Sequence, residues 1–228
     1  MAKYLIVVAH PDDEVLGAGG TIYKLGKSDN TFDVAYLCAN VQARAGRPND
    51  KQLEEDIIKS TKLLKINNVY KGTFPNIKIN TTPHLEVVQF IEQTIISSEP
   101  DIIITHHPAD TNNDHYQTSV ACQEAIRLFQ RRSDIKPISE VWYMEVPSST
   151  EWDINSSIHK YNPNLFVEIE KAGVEQKIAA LNAYSGVMRA YPHPRSVENL
   201  SALATYRGAQ AGLMYAEAFE CVFRRITQ

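Results

Sequence analysis

The sequence predicts an α/β fold, a single domain over residues 1–228 with a mainly parallel, doubly wound (Rossmann-like) sheet and helices on both faces. Three observations carry that expectation. Strand-like and helix-like segments alternate along the 228 residues without a linker, repeat or low-complexity tract, an order that joins parallel strands by right-handed crossovers. Two strand segments, Tyr4-Leu5-Ile6-Val7-Val8-Ala9 and Asp101-Ile102-Ile103-Ile104-Thr105, are apolar almost throughout, as strands covered on both faces are. Both stop abruptly in clusters of histidine and aspartate, and the carboxyl edge of such a sheet is where its chemistry sits.

The elements follow in order. A strand over 4–9 leads into a helix at about 17–28, where Gly17 lets the helix start pack against the sheet. A strand at 33–39, a helix at about 51–66 and a short strand at 68–71 come next, then a helix at about 84–98. Pro100 precedes the second buried strand, 101–105. Beyond it the pattern predicts a helix at about 115–132, strands at 140–146 and 165–169, helices at about 171–184 and 196–212, and a last strand at 217–225. The stretches 40–50, 72–82, 106–114 and 185–195 are the loops expected to build a pocket.

Composition bounds the function. At 43% hydrophobic residues the chain can bury one sizeable core. A net charge of -4 offers no broad basic surface, so nucleic acid is not an expected partner, and Arg131-Arg132 reads as a solvated helix end. No apolar run approaches bilayer length, and residues 1–9 lack a charged segment followed by a cleavage site; a soluble, cytoplasmic protein without a membrane partner is expected. Cys38, Cys122 and Cys221 are odd in number and show no CxxC spacing, which speaks for core residues rather than disulfides or a thiolate zinc site.

The first strand ends in His10-Pro11-Asp12-Asp13-Glu14. Pro11 fixes its own φ and pushes His10 toward an extended conformation, so the chain can bend and bring His10 and Asp13 onto one cation. Asp12 is then beside the metal without being a ligand, the place of a general base in a metallohydrolase. The competing reading is that the acidic pair caps the following helix. The second buried strand ends in a segment with three histidines, His106, His107 and His115. A catalytic zinc needs three protein ligands and an open position; His115 is the candidate third ligand, and Asp114 the candidate partner that orders a neighbouring imidazole. His84 and His159 read as ordinary loop residues.

At these residues the chain resembles a known family. AHPDDE at Ala9–Glu14 with LGAGGTI at Leu16–Ile22 is similar to the signature of the PIG-L/LmbE-like deacetylases, which remove acetyl groups from N-acetylglucosamine-type sugars using zinc. The resemblance extends to Val41-Gln42-Ala43-Arg44, Phe74-Pro75-Asn76, the block of Asp110, Asn112, Asp114 and His115, the run Tyr191–Ser196, Tyr206-Arg207-Gly208 and Glu217-Ala218-Phe219. It implies zinc on His10, Asp13 and His115, with Asp12 deprotonating the attacking water. Two positions depart from the family pattern. Asn112 stands where many members carry a histidine; it can donate a hydrogen bond to substrate or oxyanion but is no acid. His193, helped by His107, is therefore the candidate acid or oxyanion contact. Asn76 replaces the usual aspartate, which removes a charged acceptor for a sugar hydroxyl.

Arg44 and Arg195 are loop cations that either lie on the solvated surface or hold a phosphate or carboxylate of the substrate. Two nitrogens and one carboxylate would accept iron(II) or cobalt as well as zinc. The acyl sugar stays open among a free N-acetylhexosamine, a nucleotide-linked one, a glycoside of thiol biosynthesis and a glycan or natural-product intermediate. The apolar C-terminus leaves room for a homo-oligomer interface. Three rival readings compete with the hydrolase: a magnesium-binding receiver domain, a dinucleotide binder using Gly17-Ala18-Gly19-Gly20, and a non-catalytic zinc module.

Overall fold

In the computed structural model, residues 1–40, 49–152, 154 and 160–226 are described. Side-chain alternation along β1 (Lys3–Val8) sets the layering. Tyr4, Ile6 and Val8 enter a core shared with α1 (Asp13–Gly26), α2 (Asp50–Leu64) and α6 (Glu170–Asn182). Leu5 and Val7 enter the opposite core, with α3 (His84–Ser98) and α4 (Asn113–Ala125). A strand buried on both faces has no position for a polar residue, which is why the apolar run is continuous.

The sheet also contains β2 (Thr31–Tyr36), β3 (Asn68–Lys71), β4 (Ile102–His106), β5 (Glu140–Met144), β6 (Leu165–Glu168) and β7 (Ala216–Arg224), in the order β3-β2-β1-β4-β5-β7-β6. The pairs β1–β2, β2–β3, β1–β4 and β4–β5 are parallel, while β7 runs antiparallel to both β5 and β6. The predicted mainly parallel, doubly wound architecture is thus the observed one. The strand order reverses between β1 and β4, and the crevice outside their carboxyl ends is the switch point where open α/β sheets bind ligands. Register places Val7 beside Thr105 there, one residue short of His106.

Among the boundaries that differ from the sequence reading, three bear on the site and its surroundings. Helix α1 begins at Asp13, four residues before the expected start, because Val15 and Leu16 donate their backbone N–H to the Asp12 carbonyl at 3.1 and 2.9 Å. The ligand cluster is therefore part of a helix start rather than of a loop. The helix expected at 115–132 is broken into α4 and the one-turn α5 (Leu128–Arg131). The strand expected to reach 146 leaves the sheet after Met144, since the N–H of Val146 is claimed by the Thr150 hydroxyl at 2.8 Å. That bond starts the 3-10 turn Thr150–Trp152. Helix α7 (Val197–Ala211) is capped by Ser196, whose hydroxyl accepts from the N–H of Asn199.

The close packing of α1 depends on small residues. A Cβ at Gly17 would lie 2.2 Å from the Sδ of Met144 on β5, and one at Gly20 would lie 2.7 Å from Ile169. Only hydrogen fits at these two contacts, so α1 sits tight on the sheet and its first turn is held at the end of β1. Cys38, Cys122 and Cys221 are free, the first two buried and the third half-buried on β7. No helix of the described residues is long and apolar enough to cross a membrane.

Candidate metal centre and active site

The turn after β1 is built by its own side chains. Asp13, first residue of α1, accepts the backbone N–H of His10 at 2.9 Å and so folds the three-residue spacing back on itself. The same Oδ2 lies 3.3 Å from His10 Nδ1 and 3.3 Å from Nε2 of His115, which the first turn of α4 brings in from the other strand end. Metal–ligand bonds of about 2.0–2.1 Å in a tetrahedron place neighbouring ligand atoms about 3.3–3.4 Å apart, and the two separations from Asp13 Oδ2 match that spacing. His10, Asp13 and His115, all buried, form one group able to hold a metal.

Each imidazole is held by a carboxylate on its far nitrogen. His10 Nε2 donates to Asp114 at 3.0 Å, and His115 Nδ1 lies 3.0 Å from Asp110. The tautomers are thereby set: Nδ1 of His10 and Nε2 of His115 keep their lone pairs for a cation. Asp114 also accepts the N–H groups of Ile77 and Ile79, which ties the 72–82 loop to the centre. Asp110 accepts the hydroxyls of Ser149 and, at 2.8 Å, Thr150.

Two other groups could ligate a metal in part, His10 with Cys38 and Asp114, and His106 with Asp110 and His115. Burial pushes the Cys38 thiol up far beyond the physiological range, so it does not supply the thiolate a metal needs. His106 spends Nε2 on the N–H of Ala9 at 2.9 Å. Its ring stacks on His115, with centroids 3.9 Å apart.

The electrostatics point the same way. Asp12, Asp13, Asp110 and Asp114 are all buried. Burial raises a carboxyl, but the imidazoles outweigh it: Asp13 is held well below its ordinary value, and Asp110 is lowered to about 2. Burial likewise lowers an imidazole, yet Asp13 and Asp110 carry His115 up to about 10. A centre this rich in carboxylate favours a cation among its side chains, and a divalent ion satisfies it without protonating the ligands. His106, buried and beside His115, is lowered to about 3 and stays neutral.

Asp12 does not cap α1 with its side chain. Its carboxylate lies 3.3 Å from Nη1 of Arg195, whose Nε donates to the Ser148 hydroxyl at 2.7 Å. The capping reading of Asp12 is thus overturned, and Arg195 stands at the site. Asp12 takes φ 114°, ψ -28°, a conformation that costs a residue with a Cβ on the order of 1–3 kcal/mol. Glu14 sits directly beneath, fully buried, and burial pushes it up to about 7 despite hydrogen bonds from Tyr184 and Tyr36.

The remaining expected residues fall around this centre. Asn112 is the N-cap of α4 and uses its Oδ1 on the N–H of Asp114 at 3.0 Å. His193 is exposed and accepts the N–H of Arg195 on Nδ1 at 3.0 Å; among the described residues no hydrogen bond or ion pair joins it to the ligands. His107 accepts the N–H of Ala109 on Nδ1, its Nε2 lies 3.4 Å from Glu220 on β7, and its ring makes T-shaped contacts with Tyr143 and Tyr161. Asn76 is buried and donates to the carbonyl of Asn40 at 3.3 Å. Arg44 and His159 lie outside the described residues. Sequence reasoning gave no role to Glu14, His106, Ser148, Ser149, Thr150 or Tyr184. Only Glu14 and His106 carried a signal, as members of the two clusters.

A family model described as PIG-L, GlcNAc-PI de-N-acetylase, matches residues 5–126. The diacetylchitobiose deacetylase of Thermococcus kodakarensis is 23% identical over 242 residues, covering 96% of this chain and 83% of that protein. Among solved structures, a conserved protein of Thermus thermophilus aligns with a TM-score of 0.79 and 21% identity, covering 100% of this chain and 98% of its own. GalB, the 4-carboxy-2-hydroxymuconate hydratase of Pseudomonas putida KT2440, aligns with a TM-score of 0.75 and 21% identity, covering 100% and 99%. The last two share the fold, and the hydratase shows that this fold carries more than one reaction.

Proposed function

The chain belongs to the PIG-L, or GlcNAc-PI de-N-acetylase, family of deacetylases, and from that premise we propose that it is a zinc-dependent N-deacetylase. Its substrate in this reading is an N-acetylglucosamine-type amino sugar or conjugate, and its products are acetate and the free amine. One observation carries the proposal: His10, Asp13 and His115 converge, and a non-ligating carboxylate, Asp12, sits in the same turn as two of them. A non-catalytic metal module has no use for Asp12 in that place.

A zinc or iron(II) ion held by the three ligands supplies Lewis acidity for the water and the amide carbonyl. Asp12 is the base that takes the proton of the attacking water as the new C–O bond forms. The C–N bond then breaks, and the proton passes to the departing amine. His193 accepts from Arg195 on Nδ1, so its Nε2 carries the proton and is the ring's donor. Burial and the guanidiniums of Arg195 and Arg189 lower it, which suits a neutral hydrogen-bond donor to the oxyanion better than an acid. Asp114 and Asp110 act through the imidazoles they orient. Arg195 and Arg44 are the proposed contacts for an anionic substituent, and Asn112 for a sugar hydroxyl.

The test is bound metal per chain for the wild type and His115→Ala, followed by acetate release from N-acetylglucosamine and from diacetylchitobiose, the substrate in the relative's name. Metal present in the wild type and lost in the variant, with acetate released, supports the reading. A metal-loaded protein that releases acetate from no N-acetyl sugar refutes it.

A further inference from the structure

We infer that Glu14 is a positioning residue for the base, clamping the backbone N–H of Asp12 so that its carboxylate stays aimed into the site. The inference rests on the reading of Asp12 as base, and the geometry beneath it is local and complete. Glu14 Oε2 accepts the N–H of Asp12 at 3.0 Å, and Oε1 accepts the hydroxyl of Tyr184 at 2.8 Å. Tyr184 in turn meets the hydroxyl of Tyr36 on β2 at 3.3 Å. All three side chains are buried.

The peptide units on both sides of Asp12 are thus tied. Its carbonyl takes the N–H groups of Val15 and Leu16, and its own N–H takes Glu14. A residue with φ 114° relaxes unless its surroundings hold it. Relaxation here would swing the Cα–Cβ bond and carry the carboxylate away from the neighbouring ligands. A buried carboxyl group is costly, and the described residues place no lysine or arginine in an ion pair with Glu14. Both of its oxygens are instead used, one on the strained residue and the other on an anchor reaching into the core. Whether charged or neutral, the group keeps an acceptor for the Asp12 N–H, so the clamp asks for an oxygen at this position and not for a charge.

The experiment compares Glu14→Ala, Glu14→Gln and Tyr184→Phe with the wild type, reading bound metal, kcat and KM, and hydrogen exchange of the Asp12 amide by NMR. Glu14→Ala should lower kcat by about tenfold to a hundredfold with KM and metal content unchanged, the scale expected when a catalytic group is misplaced by up to about 1 Å. Exchange at Asp12 should quicken in parallel. Glu14→Gln, which keeps the acceptor, should recover most of the rate and the protection. Tyr184→Phe, which keeps the packing, should show a smaller loss of the same kind. Glu14→Gln as impaired as Glu14→Ala, or unchanged Asp12 exchange in Glu14→Ala or Tyr184→Phe, overturns the clamp. Exchange is measured without substrate, so a failure of the deacetylase reading is seen separately, as absent turnover in the wild type. Asp12→Asn that stays fully active would remove the base from the argument while the exchange data still judge the clamp.

Discussion

Arg195 and Asp12 are 183 residues apart in sequence, and their side chains meet at 3.3 Å. The guanidinium is held from the other side by Ser148, and Ser196, the next residue, caps α7. A cation from the C-terminal third of the chain is therefore fixed against the proposed base.

Arg195→Ala is expected to leave metal content unchanged and to raise KM more for an N-acetyl sugar bearing a phosphate or carboxylate than for the neutral sugar. Lysine should not rescue it, because a single ammonium does not reproduce the fork that reaches Ser148 and Asp12 together. Steady-state kinetics on a neutral and an anionic substrate decide the point; equal KM values for wild type and Arg195→Ala on both would return Arg195 to a structural role.

Asp12→Asn removes a base and no ligand. Amide hydrolysis should fall by about 10²–10⁴-fold with metal retained, measured as acetate released and metal bound. Loss of the metal instead would mean that Asp12, not Asp13, completes the ligand set.

Asp110→Asn and Asp114→Asn each weaken the hold on one ligand imidazole. Metal affinity should drop by about 10–100-fold in each, read by competition with a chelator. Asp114→Asn should also quicken amide exchange at Ile77 and Ile79, whose N–H groups it now accepts; Asp110→Asn should not.

Gly17→Ala drives a methyl group to 2.2 Å from Met144 Sδ and 2.8 Å from its Cγ. The cost should be about 1–3 kcal/mol of stability, seen as a lowered melting temperature. Adding Met144→Ala should recover part of it, and strictly additive losses would show that the contact is not the cause.

The layered α/β architecture was legible because its signal is local. Runs buried on both faces, such as Tyr4–Ala9, announce parallel strands, and each ended where a ligand cluster began. The pair His10 and Asp13 was equally legible, since three residues around a bend put both side chains on one point. The helix start at Asp13 was placed four residues late because a turn rich in ligands reads as a loop until the Asp12 carbonyl is seen to accept the first helical bonds.

Partner choice at long range was left to the tertiary structure. That Asp114 holds His10 across 104 residues while Asp110 holds His115 follows from how α4 docks at the end of β4. The meeting of Glu14 with Tyr184, 170 residues on, depends on α6 packing against α1. His107 lies beside Glu220 of β7, a contact across 113 residues that no local pattern announces. A sequence determines which residues have the chemistry to ligate, donate or accept and how neighbours a few residues apart can face; burial of distant elements against one another decides which of those groups share a site.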